Sequence, residues 1–185
     1  MCEIIRQKQI EDSIKQEFDQ TLQDRVARYL QVRHHEIIPN MSFAAASAEC
    51  SLLFRDGYFY AYIALAQAVA EAIVRFLCEV EFGKHGNSFE KNVKKLSVRE
   101  FISDKLKKAF LQIWRMRNDY HHMNPNIETD RHELEKLAKN KIQYLAKIEG
   151  EIFHFTNIDC NFVPEKPKYW KKSGDQVNVY LKIDP

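Results

Sequence analysis

Apolar residues return every third or fourth position along most of this 185-residue chain, and an α-helix is the regular structure that gathers such a series on one face. Ile10, Ile14, Phe18, Leu22, Val26, Tyr29 and Leu30 form the first series, which predicts a long amphipathic helix from about residue 6 to residue 33. Pro39 closes the connection after it. An alanine-rich second helix is expected from Asn40 to about Arg55, ending at the turn dipeptide Asp56-Gly57. A third, from Tyr58 to about Phe82, makes a helical hairpin with it. Five glycines and five prolines are too few for a turn-rich all-β fold.

Gly83-Lys84-His85-Gly86-Asn87-Ser88 is loop chemistry, and Gly83 to Leu96 is expected to be the least ordered stretch. Ser97-Val98-Arg99-Glu100 has capping-box form, in which the serine hydroxyl and the glutamate carboxylate each satisfy a backbone N–H at a helix start. The fourth helix it opens is expected to carry Phe101, Ile102, Leu106, Ala109, Phe110, Ile113 and Trp114. It ends near Met123, because Pro125 disfavours helical geometry at Asn124. A fifth helix starts around Thr129-Asp130, with Glu133 completing another capping pattern, and stops at Gly150. Beyond it the period becomes two: Val177, Val179, Leu181 and Ile183 alternate with Asn178, Tyr180 and Lys182, and Lys168-Tyr169-Trp170-Lys171 precedes them across a Ser173-Gly174-Asp175 turn. The expected architecture is mainly α: a bundle of about five helices over residues 1–150, with a β-hairpin appendage over 151–185 packed on it.

Composition narrows the class. A chain that is 45% hydrophobic with a formal net charge of +2 buries a core and carries no global polybasic signal. Cys2, Cys50, Cys78 and Cys160 form no C-x-x-C pair, which fits a reducing, cytoplasmic setting rather than a zinc or redox module. The N-terminus becomes charged too soon for a secretory signal. Gly57 to Leu77 is apolar enough to suggest a membrane span, but Gln67, Glu71 and Arg75, with Glu79 following, place a polar stripe along it. That pattern predicts a buried helix and no membrane partner. No Walker, G-x-S-x-G, dinucleotide or H-E-x-x-H pattern is present, so neither cofactor nor metal is assigned.

The residues with chemistry lie at the end of the fourth helix, in Trp114-Arg115-Met116-Arg117-Asn118-Asp119-Tyr120-His121-His122. Arg117 falls four residues after Ile113 on the apolar stripe, where a permanent cation is costly unless an anion meets it. One reading pairs Arg117 with Glu71 or a neighbouring acid and leaves the histidines as favourable charges at a helix C-terminus. The other gives it a phosphate. Arg117-Asn118-Asp119-Tyr120-His121-His122 resembles the R-N-x-x-x-H motif of the HEPN superfamily of metal-independent endoribonucleases, and the resemblance covers about residues 40–150. Residues 1–39 and the hairpin fall outside it. Arg28, followed by His34 and His35, satisfies the loose spacing without the asparagine and is treated as a decoy; Arg115 satisfies it too.

The resemblance implies a HEPN-like bundle that cleaves RNA by attack of its own 2′-hydroxyl. Arg117 binds the scissile phosphate, His122 moves the proton and Asn118 positions them, with His121 as a substitute for His122 or an RNA contact. It implies a homodimer with facing motifs near a two-fold axis, since one histidine does not readily serve as both base and acid. It also implies a role as toxin or as defence or stress effector, with a protein antitoxin or regulator as partner. Arg115, Lys105, Lys108 and Tyr120 are candidate RNA contacts; the basic run containing the lysines is either an RNA track or a solvated face, and Tyr120 is also a candidate packing residue. Tyr169, Trp170 and Tyr180 either stack on bases or pack on the bundle. The alternative function is a catalytically inactive helical module that binds RNA or protein.

Overall fold

The computed structural model describes residues 2–31, 37–39, 43–125, 127–159, 161–170 and 179–181. The chain is mainly helical: α1 (Cys2–Leu30), α2 (Ala44–Arg55), α3 (Phe59–Phe82), α4 (Phe89–Val98), α5 (Asp104–Trp114), α6 (Arg117–His122) and α7 (Arg131–Phe153). Strands β2 (Phe155–Ile158) and β3 (Asn161–Pro164) form an antiparallel hairpin, and β1 (Ile37–Pro39) pairs antiparallel with β4 (Val179–Leu181). Among the described residues no helix is long and apolar enough to cross a membrane.

Helix α3 is the axis of the bundle. It packs on α2, α4, α5, α6 and α7, and Tyr62, Ile63, Ala66, Ala70, Ile73, Val74 and Leu77 are fully buried along it. Ala66 and Ala70 keep its neighbours close. The polar stripe starts inside at the buried Gln67 and runs outward, through Glu71, to the exposed Arg75 and Glu79. Helix α1 follows its predicted period, yet Ile10, Ile14 and Phe18 on it are exposed. It is fastened at its C-terminal end, where Arg28 donates from Nε to Glu135 Oε1 at 2.8 Å.

Three expectations are corrected by packing. The stretch expected to be least ordered contains α4, whose Phe89, Val93 and Leu96 are buried and whose start is capped by Ser88. Ser97-Val98-Arg99-Glu100 closes that helix rather than opening the next. Glu100 takes a left-handed conformation (φ 55), its N–H donates to Ser97 O at 3.0 Å, and the N–H of Phe101 reaches back to Leu96 O at 3.0 Å. Burial of Leu96 and Phe101 decides this end; the cap of α5 is Ser103, which accepts from the Leu106 N–H at 3.1 Å. Helix α7 starts where expected, with Asp130 accepting from the Glu133 N–H at 3.0 Å. It passes Gly150, however, and ends at Phe153. A mid-helix glycine costs about 1 kcal/mol, whereas burying Ile152 and Phe153 contributes about 1.5–3 kcal/mol each.

A hairpin is observed at 155–164; the expected 173–175 turn lies outside the described residues, and the expected strand after it is described at Val179–Leu181, where it pairs with β1. Pro167–Tyr169 is a 3-10 turn, not a strand. Tyr169 and Trp170 are consecutive yet both buried, a pattern that a strand with one solvent-facing side does not give. The Tyr169 hydroxyl donates to Phe101 O at 2.9 Å and the Trp170 indole N–H to Ile152 O at 3.1 Å. These two rings anchor the C-terminal segment to the bundle and are not free to stack on bases.

Candidate active site at the break between α5 and α6

The fourth helix predicted from sequence is two helices. Arg115 leaves helical geometry (φ −53, ψ 134) and Met116 is left-handed (φ 64, ψ 21), so α6 sets off in a new direction. Met123, also left-handed, closes it (φ 50, ψ 49), and the Asn124 N–H donates to Asp119 O at 3.1 Å just before Pro125. A left-handed residue other than glycine costs about 1–2 kcal/mol. At Met116 the cost is offset by donors on the carbonyls the break exposes. Gln67 Nε2 donates to Ile113 O (3.1 Å) and Arg115 O (3.2 Å), and Lys141 Nζ donates to the same two oxygens at 2.6 and 2.9 Å. Lys141 is 1% exposed; burial, reinforced by the Arg115 charge, pushes its ammonium down to about 8.

Because of the break, Arg117 is not the next step of the buried stripe Ile102, Leu106, Phe110, Ile113. It opens a helix of its own, on which Arg117, Asn118, His121 and His122 occupy positions i, i+1, i+4 and i+5 and so share one side. Asn118, His121 and His122 are exposed and Arg117 is half-buried. Tyr120 projects the opposite way and is 1% exposed, its ring against Tyr60 at 5.3 Å. The Tyr60 hydroxyl donates to Tyr120 O at 3.2 Å. Tyr120 is therefore the packing anchor of α6, and only its edge reaches the cavity beside His121. Asp119 accepts from Asn124 Nδ2 at 2.9 Å, bracing the helix end.

Among the described residues Arg117 lacks the carboxylate that a structural arginine would have. Among the described residues it forms no ion pair; Glu71, the expected acid, binds Arg75 at 2.5 Å. The Arg117 guanidinium lies 5.4 Å from the Trp114 ring centroid, Nη1 donates to Asn118 Oδ1 at 3.4 Å, and Nε is buried without a partner. Arg28 is the contrast within the same chain, with Glu135 at 2.8 Å and Asp24 at 3.8 Å. His34 and His35 of the decoy lie outside the described residues.

His121 faces α3. Burial lowers its affinity for a proton, and the charges of Arg117 and then His122 act in the same direction; the Ala64 backbone and Glu71 oppose them. Its net pKa is below 6.5, which leaves the imidazole neutral at pH 7 and able to accept a proton. In an NMR titration, Arg117→Gln is expected to move the His121 midpoint upward, because it removes a repelling cation. An unchanged midpoint would mean that the two side chains do not share a face.

Two concavities lie near the break, one beside α6 and one between α5 and α7. A cavity of about 660 Å³ opens beside His121, with Tyr60, Ala64 and Arg131 in its wall. Arg115, exposed at the C-cap of α5, lines the second, and Lys105 and Lys108 line a neighbouring concavity along α5. No protein family, curated protein or solved structure matches the chain. Three residues that shape the site escaped the sequence reading as site residues: Trp114, Gln67 and Lys141. The signal for Lys141 was present, since Leu134, Ala138, Lys141, Leu145 and Ile148 fall on one helical stripe, where a lysine is out of place.

Proposed function

We propose that this protein is a metal-independent endoribonuclease of the HEPN type, cleaving RNA by attack of the 2′-hydroxyl on the adjacent phosphorus. The observation that carries the reading is Arg117: a permanent cation without an ion pair among the described residues, on one side of a short helix with Asn118, His121 and His122. Its guanidinium holds non-bridging phosphate oxygens and stabilises the charge that builds on the phosphorane. A histidine takes the 2′-hydroxyl proton and a second protonates the departing 5′-oxygen, leaving a 2′,3′-cyclic phosphate and a 5′-hydroxyl. His122 is the proton carrier assigned by the motif spacing; His121, depressed in pKa and facing the cavity, is the alternative base.

A homodimer with the α6 helices facing across a two-fold axis places two such sets in one cleft. The proposed role is that of a toxin or of a defence or stress effector, restrained by a protein antitoxin or regulator and acting in the cytoplasm. The test is cleavage of a mixed single-stranded RNA pool in EDTA, with end-group analysis and with His122→Ala and His121→Ala in parallel at matched dimer content. Cyclic-phosphate ends, with His122→Ala at least 10²-fold slower, support the reading. Absence of cutting by wild type, or equal rates in all three proteins, moves the assignment to a non-catalytic binding module.

A further inference from the structure

Helices α5 and α7 run side by side from the Lys105 end to the α5–α6 break, and the channel between them is basic along its length. One concavity, about 490 Å³, has an apolar floor that includes Leu106 and Ala109 and a rim of Lys105, Lys108, Gln112, Tyr144, Lys147 and Glu151. The next, about 380 Å³, shares Gln112 and Tyr144 and continues to Arg115, Met116, Asn140 and Lys141. The shared residues make them one groove. Its α5 wall repeats at three- and four-residue steps (105, 108, 112), with Arg115 following at the C-cap, and so does its α7 wall (140, 144, 147, 151), so each helix presents a single face to it.

Lys105, Lys108, Arg115 and Lys147 are exposed and form no ion pair among the described residues. Lys147 instead sits 5.3 Å from the Tyr144 ring centroid. The buried ammonium of Lys141 adds charge to the floor. Glu151 is the one acid lining these two concavities, and it is engaged at the far end by the Ser103 hydroxyl at 2.9 Å and by Lys166 at 3.3 Å. Four cations in one groove, without an ion pair among the described residues, suit a run of phosphates. From Lys105 to Arg115 is roughly 15 Å of helix, room for at most about four phosphates of one strand. Tyr144, half-buried midway along, places an aromatic ring in the wall shared by both concavities.

We infer that the α5–α7 groove binds the backbone of single-stranded RNA and delivers it to α6, with Tyr144 and Lys147 as contacts beside Lys105, Lys108 and Arg115. The inference takes its substrate class from the ribonuclease reading, and the direction from the groove ending at Arg115, two residues before Arg117. It separates the basic run of the sequence into two parts: Lys105 and Lys108 line the groove, whereas Lys91 and Lys94 on α4 do not.

The test uses a fluorescent 2′-O-methyl oligonucleotide, which binds but lacks the attacking hydroxyl, so binding is read independently of cleavage. Lys105→Glu/Lys108→Glu/Lys147→Glu is compared with Lys91→Glu/Lys94→Glu/Lys139→Glu, which changes net charge equally away from the groove; circular dichroism verifies both folds. The groove variant is expected to bind at least 30-fold more weakly and to lose about 2 from the slope of log K against log salt, with the control within 3-fold of wild type. Tyr144→Leu is expected to weaken binding by 5-fold or more. Equal loss in the two triple variants, undiminished binding by the groove variant, or preferential displacement by an acidic peptide of matched charge would overturn the inference. A wild type that binds through the groove but cuts no RNA would leave the groove standing and remove the ribonuclease reading.

Discussion

Arg117→Ala is expected to lower RNA cleavage by about 10²–10³-fold, the loss found when one preorganised donor to a developing oxyanion is removed, while leaving the folded state as stable as wild type or more so. The two halves of this expectation have one cause. Nothing anionic among the described residues meets the guanidinium, and its Nε is buried without a partner, which costs about 1–3 kcal/mol. Against that stands the contact with Trp114, worth about 0.5–1 kcal/mol at a partly exposed site. Removing the side chain therefore strips catalysis without stripping a structural pair. Arg117→Lys is not expected to rescue, since an ammonium does not reproduce the bidentate fork. Single-turnover cleavage and thermal unfolding on the same preparations check both halves. A variant that cuts normally, or that loses activity only in step with its melting point, would return Arg117 to a structural role.

The second large effect is on stability and depends on pH. Lys141 titrates near 8 in the fold against 10.5 ordinarily, chiefly because it is buried. Below about pH 8 both folded and unfolded chains hold the proton, and the penalty of burying the charge is fully present. Between about 8 and 10.5 the unfolded chain binds more protons, so this group makes stability rise with pH. Relative to Lys141→Met, the wild type is expected to gain about 2–3 kcal/mol between pH 7 and pH 10, read by urea unfolding of both proteins at both values. Methionine keeps the stem, and Gln67 still caps the Ile113 and Arg115 carbonyls, so the comparison isolates the ammonium. Parallel pH profiles would show that Lys141 is solvated and that it does not pin the break.

The break explains why the fold class was legible in the sequence and the geometry of the site was not. Helical period, the Asp56-Gly57 turn, the Asp130 cap and Pro125 are local signals, and each corresponds to an observed element or boundary. Ser97-Val98-Arg99-Glu100 is local as well, but the same residue types serve a helix start or end, and burial of Leu96 and Phe101 chose the end. At Arg115–Met116 the local signal is slight: neither residue breaks helices, and only the charge of Arg117, at the stripe position after Ile113, departs from the apolar pattern. Donors from α3 and α7, residues distant in sequence, make the kinked chain the better-satisfied one. The kink then turns Arg117, Asn118, His121 and His122 outward and Tyr120 inward.

By itself, then, the sequence determined a mainly helical chain, the approximate positions of most of its helices, and a cluster of arginine, asparagine and histidine just before Pro125, because propensity, period and capping act over a few residues. Only the tertiary structure decided where a helix breaks, which of two arginines has a carboxylate, and which lysines line one groove, because those outcomes depend on burial and on partners brought together from different elements.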